Sequence, residues 1–168
     1  VVLLDVFMGY KEQEEDISDI FLHSVEASLT VSKIPETAPD LKAIKAKRKD
    51  TSDCFFGPNV IAACRMADIV FLALHGEDGE NGKIQAAFDL FGIRYTGSGH
   101  LNSALAMNKE ISKQFFKKAG IPVPNGRMMI KSERTDEIET AHISLPCVVK
   151  PCCGGSSIGV AIANTQEE

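Results

Sequence analysis

The chain reads as an α/β protein with an open sheet of parallel strands joined by crossovers, and three observations predict this. Asp68-Ile-Val-Phe-Leu-Ala-Leu74 is an uninterrupted apolar run of strand length, the pattern of a strand buried on both faces. Beyond a polar loop, Ile84, Ala87, Phe88 and Phe91 recur at the spacing of one helix face. A short strand, Ile93-Arg-Tyr-Thr96, follows at once. The order strand, loop, helix, strand returns the chain to the same sheet, and such crossovers define the class.

The bulk properties agree. A chain of 168 residues, 44% hydrophobic and 24% charged, can bury the core of one domain or of one and a half. The net charge of -5 argues against nucleic acid or an anionic membrane as partner, because a phosphate-tracking surface needs clustered Lys and Arg in excess. The one basic run, Lys42-Ala-Ile-Lys-Ala-Lys-Arg-Lys49, reads as a solvated helix face or loop. No apolar run approaches the roughly 20 residues that cross a bilayer, and no signal-peptide pattern is present, so a cytoplasmic location is expected. Five cysteines form an odd set without metal-ligand spacing, which suits a reduced compartment with the thiols as small apolar fillers or loop residues.

Taken in order, Val1–Phe7 reads as a buried strand on which the chain opens without Met, and Gln166–Glu168 closes it just past another apparent strand. Both ends suggest an incomplete piece of a longer protein. Residues 10–53 are polar and weakly periodic, punctuated by Pro35 and Pro39, and are expected to form a surface insertion or loop. His23 and the acidic Glu12, Glu14, Glu15 and Asp16 lie there and read as solvated surface rather than a cation site. Asn59 to Met66 has helical spacing. The 83–91 helix stops at Gly92, a common C-terminal residue. Gly97-Ser-Gly99 breaks the chain before a longer helix over Asn102–Ala119, with apolar stripe Ala104, Met107, Ile111 and Phe115, ended by Gly120 and kept from continuing by Pro122 and Pro124. A domain boundary is placed near 99–101, dividing the chain into 1–100 and 101–168. Arg127–Ile130, Leu145–Val149 and Ile158–Ile162 are expected strands, with a polar, helical segment around 132–142.

Three places carry chemistry. Lys150-Pro-Cys-Cys-Gly-Gly-Ser-Ser-Ile-Gly159 puts a lysine at a strand end ahead of a turn whose glycines allow backbone amides to wrap phosphate oxygens. By its local pattern it is equally a plain hairpin with a flexible tip. It is not a Walker A loop, because Gly-Lys-Ser/Thr is absent. His75 ends a buried strand, where open α/β sheets bind ligands, and Glu77, Asp78 and Glu80 beside it either line a small-substrate site, stay solvated, or cap the helix beginning near Asn81. Lys109 lies nearly opposite Ile111 on its helix and, taken alone, reads as a surface lysine. Gly97-Ser98-Gly99 is not a nucleophile elbow, since Thr96 and His100 occupy the outer positions that Gly-x-Ser-x-Gly requires.

Together, Phe71-Leu-Ala-Leu-His-Gly-Glu-Asp-Gly-Glu-Asn-Gly82, Gly92-Ile-Arg-Tyr-Thr-Gly-Ser-Gly99, Ser103-Ala-Leu-Ala-Met-Asn-Lys109, Gly120-Ile-Pro-Val-Pro124 and Val148-Val-Lys-Pro151 with Gly155-Ser-Ser-Ile-Gly159 resemble the D-alanine–D-alanine ligases of the ATP-grasp superfamily. The motifs keep family order and spacing over about 55–168, led by Phe55-Phe-Gly-Pro-Asn59.

The resemblance implies a Rossmann-like pre-ATP-grasp sheet followed by the first part of an ATP-grasp α+β domain. It implies ATP-dependent joining of two D-alanines through an acyl phosphate for peptidoglycan synthesis. Lys109 and Lys150 match lysines that contact ATP phosphates, and Gly155, Ser156 and Ser157 match the loop closing over them. Ser156 and His75 take catalytic roles, the first near the substrate carboxylate and the second at the first D-alanine site with Glu80 nearby. ATP and Mg²⁺, with Mn²⁺ as alternative, are the implied cofactors, the metal ligands lying outside this chain; the implied assembly is a homodimer. D-alanine–D-serine or D-alanine–D-lactate ligation, or an inactive binding module, are the alternatives. The family's Arg-Glu before Gly-Ser-Ser is replaced by Cys153-Gly154, which removes a charge pair from the loop.

Overall fold

The computed structural model describes residues 4–5, 9–10, 16–22, 36–37, 40–48, 54–130, 132, 143–165 and 167. They fall into two compact units, Val1–Val70 and Phe71–Glu168. The expected strand at Val1–Phe7, His23, the acidic residues at 12, 14 and 15, and the expected helical segment around 132–142 lie wholly or mostly outside the described residues.

In the first unit, helix α1 spans Leu41–Ala46 and α2 spans Val60–Met66. Part of the basic run becomes α1, with Asp40 as its N-cap: one carboxylate oxygen accepts from the amides of Lys42 and Ala43 at 3.0 Å each, satisfying two donors that the first turn leaves open. Helix α2 buries Val60, Ala63 and Cys64. Ala63 packs with Ile17 and Ile20, and Leu4 and Tyr10 close over them. The segment 10–53 is therefore more than polar surface, since two of its isoleucines supply this core. Gly9 lies so close to Pro58 that a Cβ there would sit 2.5 Å from the proline backbone, and Tyr10 donates its amide to the Pro58 carbonyl at 2.9 Å. Only glycine permits that approach.

Among its described residues the second unit holds four helices, α3 at Glu77–Glu80, α4 at Lys83–Phe91, α5 at His100–Met107 and α6 at Lys109–Lys118, and two strands, β1 at Cys147–Val149 and β2 at Ala161–Ala163. The strands pair antiparallel, with Cys147 opposite Ala163, Val148 opposite Ile162 and Val149 opposite Ala161. Helix α4 turns Ile84 and Phe88 inward at 2% exposure each, and Ile93 joins them. Burying an aromatic side chain of that size is worth about 1.5–3 kcal/mol. Gly92 ends α4 in the left-handed region at φ 66°, and the Ile93 amide reaches back to the Phe88 carbonyl at 2.9 Å. This is the capping geometry in which glycine stops a helix.

Several expectations need correction. Among the described residues Asp68–Leu74 forms no ladder beyond an isolated bridge at Val70, and Ile69 and Phe71 are 57% and 77% exposed. An apolar run records the capacity for burial, whereas burial itself requires neighbours on both faces. Ile93–Thr96 likewise pairs only at Tyr95, and the Thr96 hydroxyl accepts the Leu72 amide at 3.2 Å where a backbone carbonyl would serve in a sheet. Arg127–Ile130 forms no strand. Among the described residues the one strand pair, β1 with β2, lies outside these segments and is antiparallel. Phe91, assigned to the inner face of α4, is 48% exposed, and Gln85 is buried instead, its amide nitrogen donating to the Gly79 carbonyl at 3.0 Å. The single long helix from 102 is two helices broken at Asn108, whose extended backbone (ψ 106°) frees its side chain to accept the Ile111 amide at 3.0 Å. Asparagine favours caps because its side chain competes for backbone donors.

Candidate functional site

The glycine-rich segment follows β1 and precedes β2, so the hairpin projects it as a loop. Ser156 and Ser157 adopt φ 51° and 59°, consecutive left-handed conformations normally left to glycine. Within the turn, Ile158 donates to the Gly155 carbonyl and Val160 to the Ser157 carbonyl, each at 3.2 Å. Among the described residues the amides of Gly155, Ser156 and Ser157 have no acceptor. Three successive free donors on a loop bent through left-handed conformations form the kind of concave amide nest that takes an anion.

Helix α6 delivers Lys109 to this loop. Its backbone amide donates to the Cys152 carbonyl at 3.0 Å, and its ammonium donates to the Gly154 carbonyl at 2.8 Å and, more weakly, to that of Cys152 at 3.4 Å. An ammonium has three donors, so at least one remains for a ligand. Asn108 completes the seam, its side-chain oxygen accepting the Cys152 thiol at 3.3 Å as well as the Ile111 amide. The reading of Lys109 as a surface lysine fails because the helical angle was drawn for one continuous helix, whereas the break at Asn108 starts a new helix with Lys109 at its first position.

The acidic loop supplies the facing side. Glu80 curls back so that its carboxylate accepts the Gly76 amide at 2.6 Å, and a Cβ on Gly155 would lie 3.7 Å from the same oxygen, in van der Waals contact. Glu77 and Asp78 are engaged with Lys83, at 3.8 and 2.7 Å. These two carboxylates hold Lys83 in a solvated pair, raising its pKa through the Asp78 hydrogen bond first and the charges next. Gly82 also lies against the carbonyl of His100, where a Cβ would collide with it.

Of the expected site residues, Lys109 is fastened to the loop that holds Gly155, and Glu80 lies against Gly155. His75, Lys150, Ser156 and Ser157 are exposed, and among the described residues the side chains of His75 and Lys150 make no hydrogen bond or ion pair with the others. Asn108, Cys152 and Gly154 were not expected to take part. Asn108 immediately before a lysine after an apolar stripe is a cap signal that could have been found; the two carbonyls could not, because a backbone acceptor has no residue signature. A further polar group ties α4 to α5: the Asp89 carboxylate accepts from the Tyr95 hydroxyl at 2.8 Å and lies 2.9 Å from His100 Nδ1. The bond to His100, then that to Tyr95, holds its pKa below the ordinary value.

The chain as a whole is similar to known proteins. It superposes on a crystal structure of D-alanine–D-alanine ligase from Bacillus anthracis with TM-score 0.59 and 38% identity, covering 65% of this chain and 36% of that one. A structure of the B. anthracis ligase complexed with ATP gives TM-score 0.56 and 34% identity at the same coverage. The family model described as D-ala D-ala ligase N-terminus matches residues 6–98, and that described as D-ala D-ala ligase C-terminus matches 115–168. The D-alanine–D-alanine ligase of Lacticaseibacillus casei (strain BL23) is 43% identical over 98% of this chain and 45% of its own length. The chain belongs to the D-alanine–D-alanine ligase family, and it spans less than half the length of the curated relatives it matches.

Proposed function

We propose that the whole protein is an ATP-dependent D-alanine–D-alanine ligase acting in the cytoplasm in peptidoglycan synthesis, and that residues 1–168 contribute its phosphate loop and part of its first D-alanine site. The observation that carries this is the Lys109 ammonium fixed on the Cys152 and Gly154 carbonyls beside three unpaired loop amides. That arrangement matches a triphosphate: amides and a lysine meet non-bridging oxygens, and Lys150 at the end of β1 adds a second cation to the loop.

A carboxylate is a poor acyl donor, so its attack on the γ-phosphate creates the leaving group that a second amine displaces. The residues of this chain hold phosphate oxygens, orient the carboxylate through Ser156 and His75, and, by loop closure, keep water from the acyl phosphate. Magnesium belongs to this reading through the family. Among the described residues no three metal-ligating side chains converge. The finer fold, a Rossmann-like pre-ATP-grasp domain to about 100 and the start of an ATP-grasp domain from 101, is part of the same proposal and is supported by family matches that end at 98 and resume at 115. A homodimer is expected of the whole protein.

The test is phosphate release by the purified full-length protein. Release should depend on D-alanine, with D-serine and D-lactate as competing acceptors in a product assay, and Lys150→Ala should lower kcat/KM by roughly 10²-fold, as removal of a preorganised charge-stabilising group does. Release without D-alanine, or an undiminished Lys150→Ala rate, would overturn the reading.

A further inference from the structure

Cys152 and Cys153 stand where the phosphate loop is fastened to α6, and the proposed ligation uses neither thiol. The Cys152 carbonyl accepts from both the amide and the ammonium of Lys109, and the Cys152 thiol donates to Asn108, the cap of the same helix. Cys153 is exposed and Cys152 half-buried. The other three cysteines lack this combination. Cys64 is buried, which pushes its thiol pKa up and starves it of reactive thiolate, while Cys54 and Cys147 have no covalent neighbour of their own kind.

We infer that Cys152 and Cys153 form an oxidisable dithiol, a modification site for hydroperoxides whose closure to a disulfide withdraws the loop from Lys109. The thiolate of exposed Cys153 attacks a peroxide oxygen; the O–O bond breaks, an S–O bond forms, and the departing oxygen leaves as water or alcohol. The Cys152 sulfur then displaces the sulfenic oxygen as a second water, forming the S–S bond. Two thiols lose two electrons and two protons, and the peroxide is reduced by the same two electrons.

Adjacent Cα atoms across a trans peptide are about 3.8 Å apart, below the roughly 4.4–6.8 Å that disulfides normally span. Closure therefore twists the 152–153 peptide, and its carbonyl is the one that holds Lys109. The same step removes the S–H that reaches Asn108. Strain of this kind makes a disulfide easy to reduce, so the modification reverses with a small dithiol. Only the consequence for ATP rests on the proposed function; the thiol chemistry and the release of Lys109 do not.

The full chain is treated with hydrogen peroxide, digested and weighed, and amide exchange is followed in parallel. The peptide holding residues 152–153 should lose two hydrogen atoms and regain them with dithiothreitol, and the Lys109 amide should exchange roughly 2- to 10-fold faster in the oxidised chain, the effect of one lost hydrogen bond. Cys153→Ser, with Cys153→Ala as a second variant should the first fold poorly, should abolish both changes. Absence of the two-hydrogen loss, oxygen adducts in its place, or an unaltered Lys109 amide would overturn the inference. Weaker ATP binding on oxidation is the further expectation; a reduced protein that binds no ATP at all, with the mass and exchange results intact, would defeat the nucleotide reading and leave the dithiol standing.

Discussion

A lysine's role here depends on what lies under it. Lys109 carries the same side chain as the exposed lysines of α6, yet the helix break at Asn108 sets it over two carbonyls of the loop. The serines show the converse, a residue type at odds with its backbone. Ser156 and Ser157 sit in left-handed conformations that cost an L-residue roughly 1–2 kcal/mol each. A protein that tolerates this where glycine would be cheaper has a use for the hydroxyls. Ser156→Gly should thus leave the melting temperature unchanged or slightly raised, since glycine relieves that backbone at some cost in unfolded-chain entropy, while losing a hydrogen bond to a charged ligand worth about 1.5–3 kcal/mol, or about 10- to 100-fold in affinity. Calorimetry beside ligand titration of the full-length protein checks both; a large fall in melting temperature would mean that the hydroxyl supports the fold instead.

At the scale of elements, the helix ends carry the argument. Gly92 has open space where a Cβ would go, so its requirement is purely conformational. Gly92→Ala should cost about 1–2 kcal/mol in denaturant unfolding, with no change in packing to offset it. A neutral result would show that the chain leaves α4 by another route. The Asp89 group joining α4 to Tyr95 and His100 gives a pH dependence with a defined sign. Its folded pKa lies below the ordinary value, so the unfolded state binds the proton more readily. The contribution is present above the unfolded pKa of about 3.9 and is lost as pH falls below it through the folded value. Stability measured from pH 6 down to pH 2 should therefore fall less steeply at the acid end in Asp89→Asn than in the parent; identical slopes would remove Asp89 from the account.

For the whole molecule, the relevant quantity is linkage between ligand and fold. If ATP binds the native loop and not the unfolded chain, ATP at about 100 times its Kd should stabilise the full-length protein by about 2.7 kcal/mol. Lys109→Ala should lose most of that increment, with a smaller effect on stability without nucleotide. An ATP shift unchanged by Lys109→Ala would place the nucleotide elsewhere. Among the described residues no helix is long and apolar enough to cross a membrane.

Much of this was legible in order and identity. The positions of α2, α4 and the hairpin loop, the glycines ending α4 and α6, and the five motifs follow from local periodicity, capping chemistry and residue type, because those signals act over a few neighbouring residues. The tertiary structure alone decided that 68–74 and 93–96 carry no ladder among the described residues, that β1 and β2 run antiparallel, and that Ile17 and Ile20 enter a core. It alone fastened Lys109 to the carbonyls of residues 43 and 45 positions away and set Glu80 against Gly155. Local sequence encodes what a segment can do, whereas backbone carbonyls and distant neighbours carry no residue code, so which capacity is used is settled only when the chain packs.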